Sequence, residues 1–333
     1  MVSDNLQDIA KKIVSKTILA ADESSGTIKK RFDTIGVESN PENNRTYRQI
    51  LFTTPGIEKF VSGVILYDET VRQKTDDSVL FPKFLYEKTI NPGIKVDKGT
   101  VKIPKFGEDT FTQGLDDLGE RLLEYKKLGC VFSKWRAMFT INDKHPNITT
   151  IKRNAADLAL YALLCQEAGI VPIVEPEVMM EGNHTFEKDK EITEKVLTVV
   201  FEQLTKYGVD MKSMILKPNM ITSGKDCDKQ TSSDEIAQAT LEVLEKTVHK
   251  DVPGIAFLSG GQSPDLATEN LKAINKIKNK NPEKYPWRLT ASYGRALQGE
   301  TLEAWKGKEE NIKKAQEVFI TRAEKVYKAS HGE

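Results

Sequence analysis

The sequence predicts an α/β fold, a (β/α)8 TIM barrel with an N-terminal capping helix. Eight short apolar runs rich in β-branched residues begin at positions 17, 61, 93, 130, 170, 214, 254 and 288, so successive starts lie 32 to 44 residues apart. Each interval has room for a strand, a helix and two loops, as βαβ units require. Several intervals carry apolar and charged residues at helical spacing, and no run is followed by G-x-G-x-x-G, which removes the main support for a doubly wound dinucleotide fold. A chain of 333 residues suits one such barrel with insertions.

In chain order, residues 3–16 place Leu6, Ile9, Ala10, Ile13 and Val14 on one helical face behind Ser3, a candidate N-cap. The expected strands are 17–22, 61–67, 93–98, 130–136, 170–177, 214–219, 254–260 and 288–294. Helices are expected over 115–128, 152–168, 185–207, 233–249 and 264–278, with Gly129, Gly169 and Gly208 as C-terminal stops, and a final helix over about 308–328. The stretch 68–91 reads as an irregular insertion. No Pro/Gly/Ser-rich linker divides the chain, so one domain is expected, with the barrel over about 17–300. The charge-rich segments 187–195 and 276–284 read as solvated faces.

Composition narrows the function. Lys plus Arg total 49 and Asp plus Glu total 49, which leaves no bulk charge for nucleic acid or an acidic membrane. An anionic ligand must therefore be held by a local site. No apolar run approaches the ~18 residues needed to span a bilayer, and residues 1–16 lack the apolar block of a secretory signal. The cysteines Cys130, Cys165 and Cys227 are odd in number and widely spaced, as reduced thiols are, so a cytoplasmic location is expected. His145, His184, His249 and His331 show no metal-ligand spacing, so neither a metal nor another cofactor is expected.

The C-terminal ends of barrel strands line the active-site mouth. Here those ends are charged or polar: Asp22 with Glu23, Lys98, Lys134 and Arg136, Glu175 and Glu177, Lys217, Ser259, and Ser292 near Arg295. So many charges converging on one mouth would be costly without a function. Lys217 is the sharpest case. Ile215 and Leu216 precede it in an apolar run, and Pro218 holds it extended. Desolvation and a second cation such as Lys134 both disfavour the ammonium form, which favours an amine able to attack a carbonyl and form a Schiff base. Glu175, Glu177 and Asp22 are the carboxylates available to move protons.

Anion binding is the second signal. Ser259-Gly260-Gly261 follows the seventh run and Ser292-Tyr293-Gly294-Arg295 the eighth, where phosphate-binding barrels expose backbone N–H groups. Across the mouth, Ser24-Ser25-Gly26-Thr27 leads to Lys29, Lys30 and Arg31, which is either a second phosphate site or a helix N-cap with a solvated basic turn.

These segments resemble the class I fructose-1,6-bisphosphate aldolase family. The matching motifs are LAADESSGTIKKR (19–31), GIKVDKG (93–99), TQGLDDL (112–118), SKWR (133–136), GIVPIVEPEV (169–178), ILKPNM (215–220), FLSGGQS (257–263) and SYGRALQ (292–298), in family order and spanning nearly the whole chain. The resemblance implies a metal-independent glycolytic lyase that cleaves fructose 1,6-bisphosphate to dihydroxyacetone phosphate and glyceraldehyde 3-phosphate. It casts Lys217 as the Schiff-base residue and Glu175 as the acid/base of dehydration and cleavage. Asp22 and Lys134 assist proton transfer, while Glu177 and Arg136 support them. It assigns the C1 phosphate to Ser259, Gly260, Gly261, Ser292 and Arg295, and the C6 phosphate to Lys98, Thr27, Ser24 and Arg31. It also implies a homo-oligomer, usually a tetramer.

The chain departs from well-studied animal members in ending at His331-Gly332-Glu333 rather than in a tail with a terminal Tyr, and in having Asn44-Arg45 where they commonly carry an Arg pair. The competing readings are a Schiff-base aldolase for another phosphorylated ketose and a scaffold that keeps the fold without turnover.

Overall fold

The structure is a computed structural model that describes residues 5–142 and 144–333. Its elements run α1 (Leu6–Val14), β1 (Thr17–Ala21), α2 (Ser25–Asp33), α3 (Pro41–Thr53), β2 (Val61–Leu66), α4 (Asp68–Arg72), α5 (Phe81–Glu87), β3 (Asn91–Lys95), β4 (Thr100–Lys102), β5 (Thr110–Thr112), α6 (Leu118–Lys127), β6 (Phe132–Phe139), α7 (Ile148–Glu167), β7 (Val171–Val178), α8 (Phe186–Lys206), β8 (Ile215–Leu216), α9 (Ser233–Thr247), β9 (Gly254–Phe257), α10 (Pro264–Lys280), β10 (Arg288–Tyr293), α11 (Arg295–Trp305) and α12 (Ile312–Ala329). Eight parallel strands close in the order β1-β10-β9-β8-β7-β6-β3-β2, which is the expected (β/α)8 barrel. β4 and β5 form a separate antiparallel hairpin.

Strand alternation divides the barrel interior into two levels. Ile18 and Ala20 precede Asp22, Phe132 precedes Lys134, Val171 and Ile173 precede Glu175, and Ile215 precedes Lys217, each at the two-residue period that keeps side chains on one face. The lower members pack into one buried cluster with Ala10, Ile13 and Val14 of α1, which closes the bottom of the barrel. The upper members carry charge. Two glycines make room for this floor: a Cβ on Gly93 would lie inside van der Waals contact of the Phe132 ring, and one on Gly254 would come within 2.7 Å of Val14. Outward-facing strand residues pack against the helices in a larger second cluster.

Several expectations need correction. α1 is shorter than 3–16, and its cap is Asn5, whose side chain accepts from the Asp8 N–H. Ser3 lies outside the described residues. The stretch 68–91 is not irregular, since it holds α4 and α5. The segment after Ser24 is a helix, in line with the N-cap alternative, whereas α3 and α11 lie outside the expected helices because their polar residues interrupt the apolar period. The third strand begins two residues earlier than expected and ends at Lys95, so Lys98 stands in the loop beyond it.

Candidate active site

The mouth of the barrel opens into a cavity of about 1250 Å³. Every residue to which the resemblance gives a site role lines it: Asp22, Ser24, Thr27, Arg31, Lys98, Lys134, Arg136, Glu175, Glu177, Lys217, Ser259, Gly260, Gly261, Ser292 and Arg295; Lys29, in the candidate basic turn, does not.

At its base, Lys217 Nζ lies 3.1 Å from Glu175 Oε1. The other carboxylate oxygen of Glu175 is 3.3 Å from Lys134 Nζ, which also pairs with Asp22 at 2.8 Å and approaches Asp97 at 3.9 Å. Lys134, Glu175 and Lys217 are all buried. The environment of Lys217 is therefore not set by burial and a neighbouring cation alone, as the sequence suggested, because Glu175 is its ion-pair partner. The backbone enforces the placement: the Lys217 N–H donates to the Val174 carbonyl, which registers the lysine beside Glu175.

The charges fix one another. Burial works against ionisation of Asp22, but the positive charges of Lys134 and Lys217 outweigh it and hold the carboxyl well below the ordinary range. Burial likewise disfavours the charged form of Lys134, yet Asp22, Glu175 and Asp97 together keep it protonated beyond the usual lysine range. Glu175 is lowered because Lys134, Lys217 and Arg136 overcome its desolvation. Glu177 goes the other way: burial raises it despite its ion pair with Arg136. Two carboxylates two residues apart on one strand thus have opposite proton affinities, which separates their acid and base capacities.

The anion-binding candidates occupy the walls. Gly260 and Gly261 have φ of +53° and +86°, two successive left-handed residues that glycine tolerates best. Gly294 precedes α11, whose N-terminus opens on the cavity at Arg295. The buried Ser292 hydroxyl makes no hydrogen bond to the described residues. Opposite, Ser24 precedes α2 without capping it, and its hydroxyl meets that of Thr27 at 3.1 Å. The N-cap position and the ligand-facing hydroxyls are thus compatible readings of the same segment.

Three groups were missed or misjudged. Lys98 is half exposed and pairs with Asp117 at 3.3 Å, whereas Lys95, at the true end of β3, is largely buried, ion-paired to Asp97 and inside the cavity. The two-residue alternation from Gly93 already puts Lys95, and not Lys98, on the face that Gly93 presents to the barrel interior. Arg31 is not a free cation, because it pairs with the buried Glu23. Glu23 also binds Arg48 at 2.6 Å and accepts from Gln298 Nε2 at 2.7 Å. Nothing local in the sequence marks Arg48 or Gln298, since they reach Glu23 from α3 and α11. At the departure from the Arg pair, Asn44 is buried and donates to Glu69, and Arg45 pairs with Glu42 and Asp76.

Comparison with known proteins agrees with this geometry. The family model described as fructose-bisphosphate aldolase class-I matches residues 5–333. The chain is 48% identical over 317 residues to "Fructose-bisphosphate aldolase 4, cytosolic" of Arabidopsis thaliana, covering 95% of this chain and 80% of that one. It is 48% identical to "Fructose-bisphosphate aldolase C" of Carassius auratus, covering 96% and 88% respectively. Its fold superposes with a TM-score of 0.95 on a Plasmodium falciparum fructose-bisphosphate aldolase solved with TRAP and a small-molecule inhibitor, at 46% identity over 98% of this chain and 94% of that one. A closed parallel barrel, a lysine and glutamate in contact at its mouth, and these matches over nearly the full length place the chain in the class I fructose-bisphosphate aldolase family, a family of carbon–carbon lyases.

Proposed function

We propose that this chain cleaves fructose 1,6-bisphosphate through a Schiff base on Lys217, and the observation that carries the proposal is the 3.1 Å contact between Lys217 Nζ and Glu175 Oε1 at the base of the cavity. A proton passes from the Lys217 ammonium to Glu175 across their ion pair, and the freed amine attacks C2 of the open-chain ketose, its N–H proton moving to the C2 oxygen to give the carbinolamine. Glu175 in its acid form donates a proton to the carbinolamine hydroxyl, which leaves as water and gives the iminium. Glu175, now a carboxylate, takes the proton of the C4 hydroxyl, the C3–C4 bond breaks, and its electron pair moves into the iminium to form an enamine. Glyceraldehyde 3-phosphate leaves. Protonation at C3 and addition of water then release dihydroxyacetone phosphate and restore the amine. The iminium is the electron sink, so the reading needs no metal or cofactor.

The remaining residues act by charge and position. Lys134, held protonated among Asp22, Glu175 and Asp97, offsets negative charge as hydroxyl protons move. Arg136 orients Glu177, a proton reservoir of higher affinity than Glu175. Ser259, Gly260, Gly261, Ser292 and Arg295 receive the C1 phosphate. Ser24, Thr27 and Arg31 receive the C6 phosphate, with Lys95 rather than Lys98 supplying the buried cation.

The chain further reads as one domain, a cytoplasmic homotetramer acting on sugar phosphates. Family membership supports the tetramer, and the cytosolic plant relative supports the location. A balanced net charge argues against nucleic acid, and among the described residues no helix is long and apolar enough to cross a membrane.

The test is borohydride reduction with dihydroxyacetone phosphate in excess EDTA, followed by peptide mass mapping. A stable adduct on Lys217 is expected. No adduct, or one on another lysine, overturns the assignment.

A further inference from the structure

The segment 187–195 has the composition of a solvated helix face, but its Asp189, in the first turn of α8, is buried. Among the described residues no basic side chain pairs with it. Its Oδ1 accepts from the Thr193 hydroxyl at 2.8 Å and its Oδ2 from the Thr222 backbone N–H at 2.7 Å. Burial outweighs both bonds and pushes the carboxyl up to about 7. A buried carboxyl with no cation is costly to keep, so what it holds in place matters.

The contacts lead to the reacting lysine. Thr193 Oγ1 accepts from Asn219 Nδ2 at 3.1 Å, and Asn219 Oδ1 accepts from the Val178 N–H at 3.1 Å. Asn219 is two residues past Lys217, and Val178 directly follows Glu177 on the strand that carries Glu175. Asp189 therefore grips the chain after Lys217 twice, through Thr193 to Asn219 and directly at Thr222. The Asn219 amide meanwhile ties that segment to the end of β7. Among the described residues the ladder between β7 and β8 has two pairs, Ile173 with Ile215 and Val174 with Leu216, and ends with the Lys217 N–H bond to the Val174 carbonyl, so beyond Lys217 the Asn219 amide carries the link between the two segments.

We propose that Asp189 is a positioning residue for the Schiff-base chemistry, holding Lys217 at its working distance from Glu175 through Thr193 and Asn219 while it pins the following backbone at Thr222. The proposal rests on the reading of Lys217 and Glu175 as the reacting pair. The direction of the donors explains why a carboxylate is used. Both Thr193 and Thr222 donate to Asp189, and an amide in its place would turn an N–H toward one of them. Asp189 touches neither the cavity nor a substrate atom, so its loss should slow the chemical step and leave phosphate binding intact.

The experiment compares wild type, Asp189→Asn, Thr193→Val and Thr193→Ser for kcat, KM and the rate at which borohydride traps dihydroxyacetone phosphate on Lys217, with thermal melting as a control for folding. Asp189→Asn and Thr193→Val are expected to lower kcat and the trapping rate about tenfold with KM within about twofold. Thr193→Ser, which keeps the hydroxyl, is expected to stay within about twofold of wild type. The double variant Asp189→Asn/Thr193→Val should lose no more than Asp189→Asn alone, because Thr193→Val removes a contact that Asp189→Asn already disrupts. If Asp189→Asn does not fold, the contrast of Thr193→Val with Thr193→Ser still decides. Normal trapping and kcat in Thr193→Val, or an effect confined to KM or melting temperature, overturns the positioning role. Failure of the wild type itself to trap on Lys217 overturns the underlying reading instead.

Discussion

Lys134 Nζ meets Asp22 at 2.8 Å across the barrel, since β6 and β1 are not neighbours in the sheet. The ion pair therefore spans the interior above the apolar floor and links opposite walls of the mouth. Removing Asp22 leaves Lys134 buried with Glu175 and Asp97 as its remaining counter-charges, so the loss should fall below the about 3–5 kcal/mol of a buried charge left with no partner. Asp22→Asn is expected to lower kcat about a hundredfold and to lower the melting temperature at pH 7. Because the folded state depresses the Asp22 pKa, its stabilising contribution is present above the ordinary carboxylate range and disappears as pH falls through the lower folded value. Melting curves across pH should therefore show the deficit of the variant at neutral pH shrinking in strong acid. A deficit that grows on acidification would contradict the ion-pair account.

Lys217→Met keeps much of the side-chain volume and removes only the amine. Turnover should fall by at least about a thousandfold, while circular dichroism and melting stay close to wild type. Turnover within tenfold of wild type would exclude Lys217 as the nucleophile.

The two lysines of the 93–99 motif should separate cleanly. Lys95→Ala removes a buried cation of the cavity and is expected to reduce kcat/KM for fructose 1,6-bisphosphate about 10- to 100-fold. Lys98→Ala removes a half-exposed partner of Asp117 and should change it less than about threefold. Steady-state kinetics with fructose 1-phosphate as the comparison substrate checks that the Lys95 effect belongs to the second phosphate, because the difference should vanish there.

Gly93→Ala forces a methyl group into the Phe132 ring on the barrel floor. The expected loss is about 1–3 kcal/mol in urea unfolding. Phe132→Leu, which shortens the obstructing side chain, should recover part of it in the double variant. Additive losses in that pair would mean that the two residues do not share the space.

Asp189 gives a pH dependence of the opposite sign to that of Asp22. Its folded pKa is raised from 3.8 to about 7, so the stability it contributes is present below about 4 and is lost as pH rises through about 7. The melting temperature of Asp189→Asn minus that of wild type should therefore increase between pH 4 and pH 8. A difference that is flat across this window would place Asp189 in contact with water or with a cation.

The barrel was legible because its evidence is repetitive. Eight β-branched runs at even spacing survive errors at any one of them, and the strand-end charges of Lys134, Glu175 and Lys217 follow directly from alternation. What failed was local. Carrying the third strand to Lys98, past its end at Lys95, exchanged a largely buried cation for a loop residue. α3 escaped notice because Asn43, Asn44 and Arg45 mask the apolar period of Tyr47, Ile50 and Leu51. The Glu23 cluster and the chain from Asp189 to Asn219 join residues 4 to 275 positions apart, and apart from the Asp189–Thr193 pair on one helix face no short-range pattern encodes them.

The apolar floor built by Phe132, Ile173, Ile215 and the inner face of α1 also dictates the route of traffic. With the lower end sealed, the ketose, both products and the water that hydrolyses the last covalent species share a single doorway. A plug seated in that doorway would therefore stop entry and exit together, whereas nothing bound beneath α1 could reach the chemistry.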